Sequence, residues 1–198
     1  MYFKYNCDGF LEWGNFNKSS ISKVTMNYPY LSEKIDGKTI IYDDDFLQNR
    51  WFWYFYNEIY VNCKKPMVEG DVGNGTGLEV NIDFKTPVNN IVVLNGYVDL
   101  DKQHLYKKNA RMKKVIVKGD NFTFDYEFED YVHFSQIKFP EQTTKIKIFV
   151  IEVYEGEKWD DLAISGLWVK EDITKDVNSK VAEEYLEYAN EYSIELIK

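Results

Sequence analysis

The sequence predicts an antiparallel all-β sandwich, and three observations carry that prediction. Leu78, Val80, Ile82 and Phe84 alternate with Glu79, Asn81 and Asp83, the period-two pattern of a half-buried strand. From residue 51 to residue 169, short apolar runs recur between turn signals with no helical period among them. The chain also carries 16 Tyr, 13 Phe and 5 Trp, an aromatic share of 17% that suits strands and stacking surfaces.

Taken in order, residues 1–50 read as a small strand-rich N-terminal extension. An apolar stretch covers residues 21–28, and Asp36-Gly37 between apolar flanks is a hairpin signal. Trp51-Phe52-Trp53-Tyr54-Phe55-Tyr56 follows, either a strand buried on both faces or one at a partly exposed binding or partner surface. After the strand over residues 78–84, Pro87 is expected to break the ladder, and residues 91–94 form a short apolar strand ending at Asn95-Gly96. A polar loop runs from residue 97 to residue 110. Alternation resumes over residues 112–117 and 122–128, on either side of the turn Lys118-Gly119-Asp120-Asn121. Further strands are expected over residues 133–139, stopping at Pro140, then over 146–154 and 162–169.

Residues 51–170 thus form the sandwich domain, and residues 171–198 break its rule. Val177, Val181, Tyr185, Ala189, Tyr192 and Leu196 recur every three or four positions, with Glu183, Glu184, Glu187, Glu191 and Glu195 turned largely outward. This is a C-terminal amphipathic helix, packed either on the sandwich or on another chain.

Composition limits the function. A hydrophobic share of 44% with 29% charged residues is that of a soluble globular protein. The net charge of -9 argues against nucleic acid, whose affinity rests on Lys and Arg displacing counterions, and against an anionic membrane surface. No apolar run approaches the ~20 residues of a spanning helix, so membrane insertion is not expected. The first residues lack the apolar core of a signal peptide. Cys7 and Cys63 fit no zinc or redox spacing, and the sequence leaves open whether they pair. Asn17-Lys18-Ser19, Asn74-Gly75-Thr76 and Asn121-Phe122-Thr123 have the form of glycosylation sequons.

An enzyme is not expected. The two histidines, His104 and His133, lie apart, and no serine stands in a Gly-x-Ser-x-Gly motif. The glycines between Gly70 and Gly77 precede a strand rather than a helix, so they permit a tight loop rather than cradle a phosphate, and no cofactor is expected. Asp43-Asp44-Asp45 reads as a solvated turn.

The order Val68-Glu69-Gly70, a glycine-rich turn, Asn95-Gly96-Tyr97, Asn109-Ala110-Arg111, a Phe-rich hairpin and Tyr154-Glu155-Gly156-Glu157-Lys158-Trp159-Asp160-Asp161-Leu162-Ala163-Ile164-Ser165 resembles a bacterial discoidin-like family, the NADase-type glycan-binding domain, over about residues 55–170. The resemblance implies a galactose-binding-like jelly roll with a carbohydrate-binding role in an exported or cell-surface protein. Two positions depart from the family pattern. Met67 stands where a tryptophan is usual, and Gly166 stands where related modules carry a calcium-ligating glutamate, with Asp160 and Asp161 nearby as oxygen donors, so the metal content is left undetermined.

A sugar site needs planar hydrogen-bonding groups for paired hydroxyls and an aromatic face for the apolar side of the ring. Glu69, Asn95, Asn109 and Arg111 supply the first, and Tyr97 and Trp159 the second. Each has a plainer reading beside it: Glu69 and Arg111 as a buried ion pair, Asn95-Gly96 as a turn, Tyr97 as a core aromatic. The expected function is a non-catalytic module binding a glycan or other small polar ligand through sandwich loops. The alternative is a protein-interaction module using residues 51–56 and the C-terminal helix.

Overall fold

The computed structural model describes residues 12–13, 20–27, 40–42, 51–55, 58–62, 66–69, 73–99 and 102–173. The turn at Asp36-Gly37, both cysteines, Asp43 to Asp45 and the expected helix beyond residue 173 lie outside the described residues. The strands are β1 (Glu12–Trp13), β2 (Ile21–Asn27), β3 (Ile40–Tyr42), β4 (Trp51–Phe55), β5 (Glu58–Asn62), β6 (Met67–Val68), β7 (Glu79–Asn95), β8 (Arg111–Lys118), β9 (Thr123–Glu127), β10 (Phe134–Tyr154) and β11 (Ala163–Trp168). Among the described residues there are also two one-turn helices, α1 (Leu105–Lys108) and α2 (Lys170–Ile173).

All strand pairings are antiparallel, and the main sheet follows the order β3-β2-β7-β10-β8-β9, with β11 against β7 and β6 against β11. The expected breaks at Pro87 and Pro140 do not end their strands. Instead β7 and β10 each run through the proline and stay paired with each other on both sides of it, while the neighbours on their other edges change. The first part of β7 lies beside β2, through Ile82↔Val24, whereas its last residues lie beside β11, through Val93↔Leu167. The start of β10 meets the end of β7, through Ile137↔Ile91, and its later part meets β8, through Val150↔Val115. Between these stretches the β7–β10 register slips twice, from Lys138 to Lys145. Proline cannot donate to a ladder, so both prolines fall where the ladder is already irregular and the ribbon turns from one layer to the other. The result is an antiparallel jelly roll in which two strands serve both layers.

The register assigns the faces. Val80, Ile82, Ile146, Ile148, Val115 and Val117 from one layer meet Ile91, Val93, Ile137, Ile164 and Leu167 from the other, all essentially inaccessible to solvent. Each such side chain contributes roughly 1.5–3 kcal/mol relative to exposure. Strand β2 adds Ile21, Val24 and Met26 to the same core. Met67 is also fully buried, within the core cluster and opposite Ile164, so the position where relatives carry an indole is a core position here.

Strands β1, β4 and β5 form a separate three-stranded sheet with β4, the aromatic segment, in the middle. Both backbone edges of β4 are therefore paired.

One end of the sandwich is closed by the corner itself. Phe122 stacks on Phe139 at 5.6 Å, Phe84 lies 6.4 Å from Phe139, and Thr143 Oγ1 donates to Asp120 at 3.2 Å, fastening the β8–β9 turn to the bend. At the other end, the loops after β6, β7, β9 and β10 gather around the start of β8. Every residue singled out for ligand binding is there.

Candidate functional site

Asn95 is the last residue of β7 and shares the inward face with Val93. Its Nδ2 donates to Met112 O at 2.7 Å, and Met112 N donates to Asn95 Oδ1 at 3.0 Å. The side-chain amide thus acts as a peptide unit, joining the start of β8 to the opposite layer. Gly96 follows with φ 81°, and a Cβ there would sit 2.7 Å from the Tyr106 ring, so both the backbone and the packing require glycine. Ser165 Oγ donates to Gly96 O at 2.8 Å and accepts from Val98 N at 2.7 Å, which holds the loop to β11. Asn95-Gly96 is therefore a buried junction and not a hairpin turn.

The segment α1 packs Tyr106 inward and leaves carbonyls at its end, which other groups satisfy. Asn109 Nδ2 donates to Leu105 O at 2.8 Å, Glu157 N to Lys107 O at 3.0 Å, and Lys158 N and Trp159 N to Lys108 O at 3.2 and 2.8 Å. Gly156 allows this approach, because a Cβ would lie 2.1 Å from Trp159 O and 2.6 Å from Lys108 O. The loop bearing Trp159 is in this way stitched to the loop bearing Asn109.

Arg111 is the hub. Nε donates to Asp130 Oδ1 at 2.6 Å and Nη2 to Oδ2 at 2.8 Å, while Nη1 reaches the carbonyls of Asn109 at 3.2 Å and Glu155 at 3.4 Å. The guanidinium lies 5.0 Å from the Tyr106 ring centre and 5.5 Å from that of Tyr154, within cation–π range of both rings. Lys107 Nζ adds a second cation to Asp130 at 2.9 Å. Burial opposes the charge on Arg111, but the hydrogen bonds and charge of Asp130 outweigh it, and its pKa rises. Burial likewise works against ionised Asp130, yet the bonds from Arg111 and Lys107 outweigh it and hold the carboxyl below its ordinary value. The side chain of Arg111 is 4% exposed and that of Asp130 31%, so the carboxylate is the member of the pair that faces solvent.

Of the six residues named from sequence, Glu69, Asn95, Asn109 and Arg111 are buried, and Tyr97 and Trp159 are half-buried. Asn95, Asn109, Arg111 and Trp159 belong to one connected set of loops. Glu69 stands at the end of β6, where its amide donates to Leu162 O at 3.0 Å, and the carboxylate on Arg111 is Asp130 rather than Glu69. One face of the Trp159 ring lies under Lys158 Nζ at 4.3 Å. Asp130, Tyr106 and Tyr154 were missed as site residues, although the hairpin carries a signal for Asp130: the β8–β9 register, Lys114↔Glu127 through Lys118↔Thr123, continued past the end of β9 sets Asp130 across from Arg111, 19 residues away.

The calcium arrangement of related modules does not fit here. A Cβ on Gly166 would fall 1.7 Å from the Trp168 indole, which occupies the space of the missing glutamate. Ser165 Oγ is engaged by Gly96 and Val98. Among the described residues, no three His, Cys, Asp or Glu side chains are placed to hold a metal ion. No helix of the described residues is long and apolar enough to cross a membrane.

Among curated proteins, none matches the chain. Solved structures similar to it include the arabinofuranosyltransferase AftD from Mycobacteria, at 16% identity and TM-score 0.40, covering 54% of this chain and 8% of that one. The Streptococcus pyogenes NAD+-glycohydrolase translocation domain is 24% identical with TM-score 0.35, over 52% of this chain and 90% of that one. CpGH89CBM32-5 from Clostridium perfringens, solved with GalNAc-β-1,3-galactose, is 13% identical with TM-score 0.39, over 80% and 99%. Thus the chain spans about a twelfth of the length of the mycobacterial enzyme. The family model described as the NAD glycohydrolase translocation F5/8 type C domain matches residues 47–170, and the chain belongs to that family.

Proposed function

We propose that this protein is a non-catalytic carbohydrate-binding module whose ligand surface is the end of the sandwich where the loops after β7, β9 and β10 meet. The observation that carries the reading is the Arg111 hub, which bonds to three loop segments through Asn109, Asp130 and Glu155. Loops held this way lose little conformational freedom when a weak ligand binds, and carbohydrate recognition depends on such pre-organisation. In this reading Glu69, Asn95, Asn109 and Arg111 position the loops, and Tyr97, Trp159 and Asp130 border the ligand. Asn95, Asn109 and Arg111 have their side-chain donors committed to backbone or ion-pair partners, as Asn95 is to Met112, which supports a positioning role.

Among the described residues, no reacting group in the loops suggests chemistry. The Ser135–His133 contact at 2.9 Å resembles a nucleophile with its base, but Ser135 is 2% exposed and no substrate reaches it. Membership of the F5/8 type C family supports the same non-catalytic reading and an exported or cell-surface setting. A protein partner at residues 51–56 or at the C-terminal helix is the alternative. A glycan array decides between them: binding to one glycan class, lost in Arg111→Ala folded by circular dichroism, supports a sugar site, and no binding to any glycan sinks it.

A further inference from the structure

Resting on the carbohydrate reading, we infer that Tyr131 is the platform on which the apolar face of a neutral pyranose lies, with Glu129 as the acceptor for its hydroxyls. Among the described residues Tyr131 is the large hydrophobic side chain left exposed, at 39%. It is not loose. Its ring stacks on His133 with centroids 4.2 Å apart and planes at 28°, which covers one face and leaves the other for a ligand.

The supporting ring is itself pinned. His133 Nδ1 lies 2.9 Å from Tyr131 O, and a carbonyl only accepts, so Nδ1 carries the proton. In the neutral ring Nε2 is then the acceptor for Ser135 Oγ–H at 2.9 Å. Two hydrogen bonds thus fix the histidine that fixes the tyrosine. Tyr131 also follows Asp130 directly, so its backbone is anchored by the Arg111 and Lys107 bonds. Holding an aromatic ring rigid in water is costly unless something apolar covers it, and the C–H face of a sugar does so while keeping its hydroxyls solvated.

The other aromatics at this end are less available. Tyr106 and Tyr154 are both engaged by Arg111, Trp159 has Lys158 across one face, and Tyr97 is half-buried. Glu129 is exposed and stands two residues before Tyr131 on the same loop, where its carboxylate supplies an acceptor for ligand hydroxyls. A carboxylate there, on a chain of net charge -9, selects neutral over acidic sugars.

The test is a titration of the full chain with methyl glycosides of glucose, galactose and mannose and with N-acetylneuraminic acid, followed by calorimetry and saturation-transfer NMR. Binding of a neutral glycoside is expected, weakened roughly tenfold or more by Tyr131→Ala and little changed by Tyr131→Phe, which keeps the ring. His133→Ala is expected to weaken binding by an intermediate factor. Tyr131 is a surface residue, so these variants fold. If a sugar binds the wild type and Tyr131→Ala leaves its affinity intact while Trp159→Ala or Tyr97→Ala abolishes it, the platform is elsewhere and only this inference falls. If the acidic sugar binds in preference, the assignment of Glu129 is overturned. If nothing in the panel binds the wild type and a glycan array is also blank, the carbohydrate reading fails and takes this inference with it.

Discussion

Arg111 and Asp130 form a two-point pair, Nε to Oδ1 at 2.6 Å and Nη2 to Oδ2 at 2.8 Å, in which the cation is buried and the anion reaches water. The fork geometry of guanidinium on carboxylate joins the start of β8 to the loop between β9 and β10. Removing either partner leaves a charge or a pair of tyrosine faces uncompensated. Arg111→Ala and Asp130→Ala are each expected to cost about 3 kcal/mol, measured by urea unfolding. The double variant should cost clearly less than the two added together. Simple additivity would mean the pair is not coupled in solution.

The same pair sets an acid limit. Asp130 has its folded-state pKa lowered, by the Arg111 and Lys107 bonds winning over burial. A depressed carboxylate adds stability that is present above its unfolded value, near 3.8, and is lost as pH falls through the folded-state value. Unfolding midpoints measured from pH 6 down to pH 2 should therefore fall below about pH 4, and Asp130→Asn should flatten that limb while lowering the plateau. An identical acid limb in the variant would show that other carboxylates dominate.

Much of this architecture is legible in the residues themselves. The strand at Leu78 to Phe84 and the hairpin around Lys118-Gly119 stand where alternation and turn chemistry put them, because both are local signals. The prolines misled for a physical reason: a missing N–H forbids an ordinary ladder position, but a register slip at a sheet corner has no N–H to satisfy, and only the pairing of β7 with β10 reveals that corner. The site was legible in part. Asn95, Asn109 and Arg111 were found as a motif, and their partners Met112, Leu105 and Asp130 decide what they do. The Asn95–Met112 joint depends on tertiary contact that no spacing carries, whereas Leu105 lies four residues from Asn109 and Asp130 lies across the continued β8–β9 register from Arg111. Tyr131 drew no attention, and His133 drew it only as one of two separated histidines, because exposure and ring stacking are not written in a sequence.

Gly166 offers a test of the metal question. The Trp168 indole lies where a glutamate would begin, so Gly166→Glu is expected to abolish cooperative unfolding rather than create a cation site. In the wild type, millimolar calcium should leave Tm unchanged, since a ligand raises Tm only by binding the folded state. A calcium-dependent rise of several degrees would contradict the fit argued from Gly166.

Tyr106 is the reverse case, a polar group whose burial costs stability. It is 3% exposed, its ring rests on Gly96 and beneath Arg111, and its hydroxyl meets no hydrogen-bond partner of ordinary geometry. Burial, and then the charge of Asp130, pushes its pKa well above the ordinary value near 10. Tyr106→Phe keeps the ring on Gly96 and removes only the unsatisfied oxygen, so it is expected to be neutral or to stabilise the fold by up to about 1 kcal/mol. The alkaline limb separates this from a generic effect. A group whose folded-state pKa is raised contributes stability that is fully present below the unfolded value and lost as pH rises through the folded one, so the wild type should weaken above about pH 10. Tyr106→Phe should lose part of that slope while Tyr131→Phe, at the surface, loses less. A variant that is destabilised by 1–2 kcal/mol at pH 7 would instead mean that the hydroxyl has found a partner, most simply a buried water.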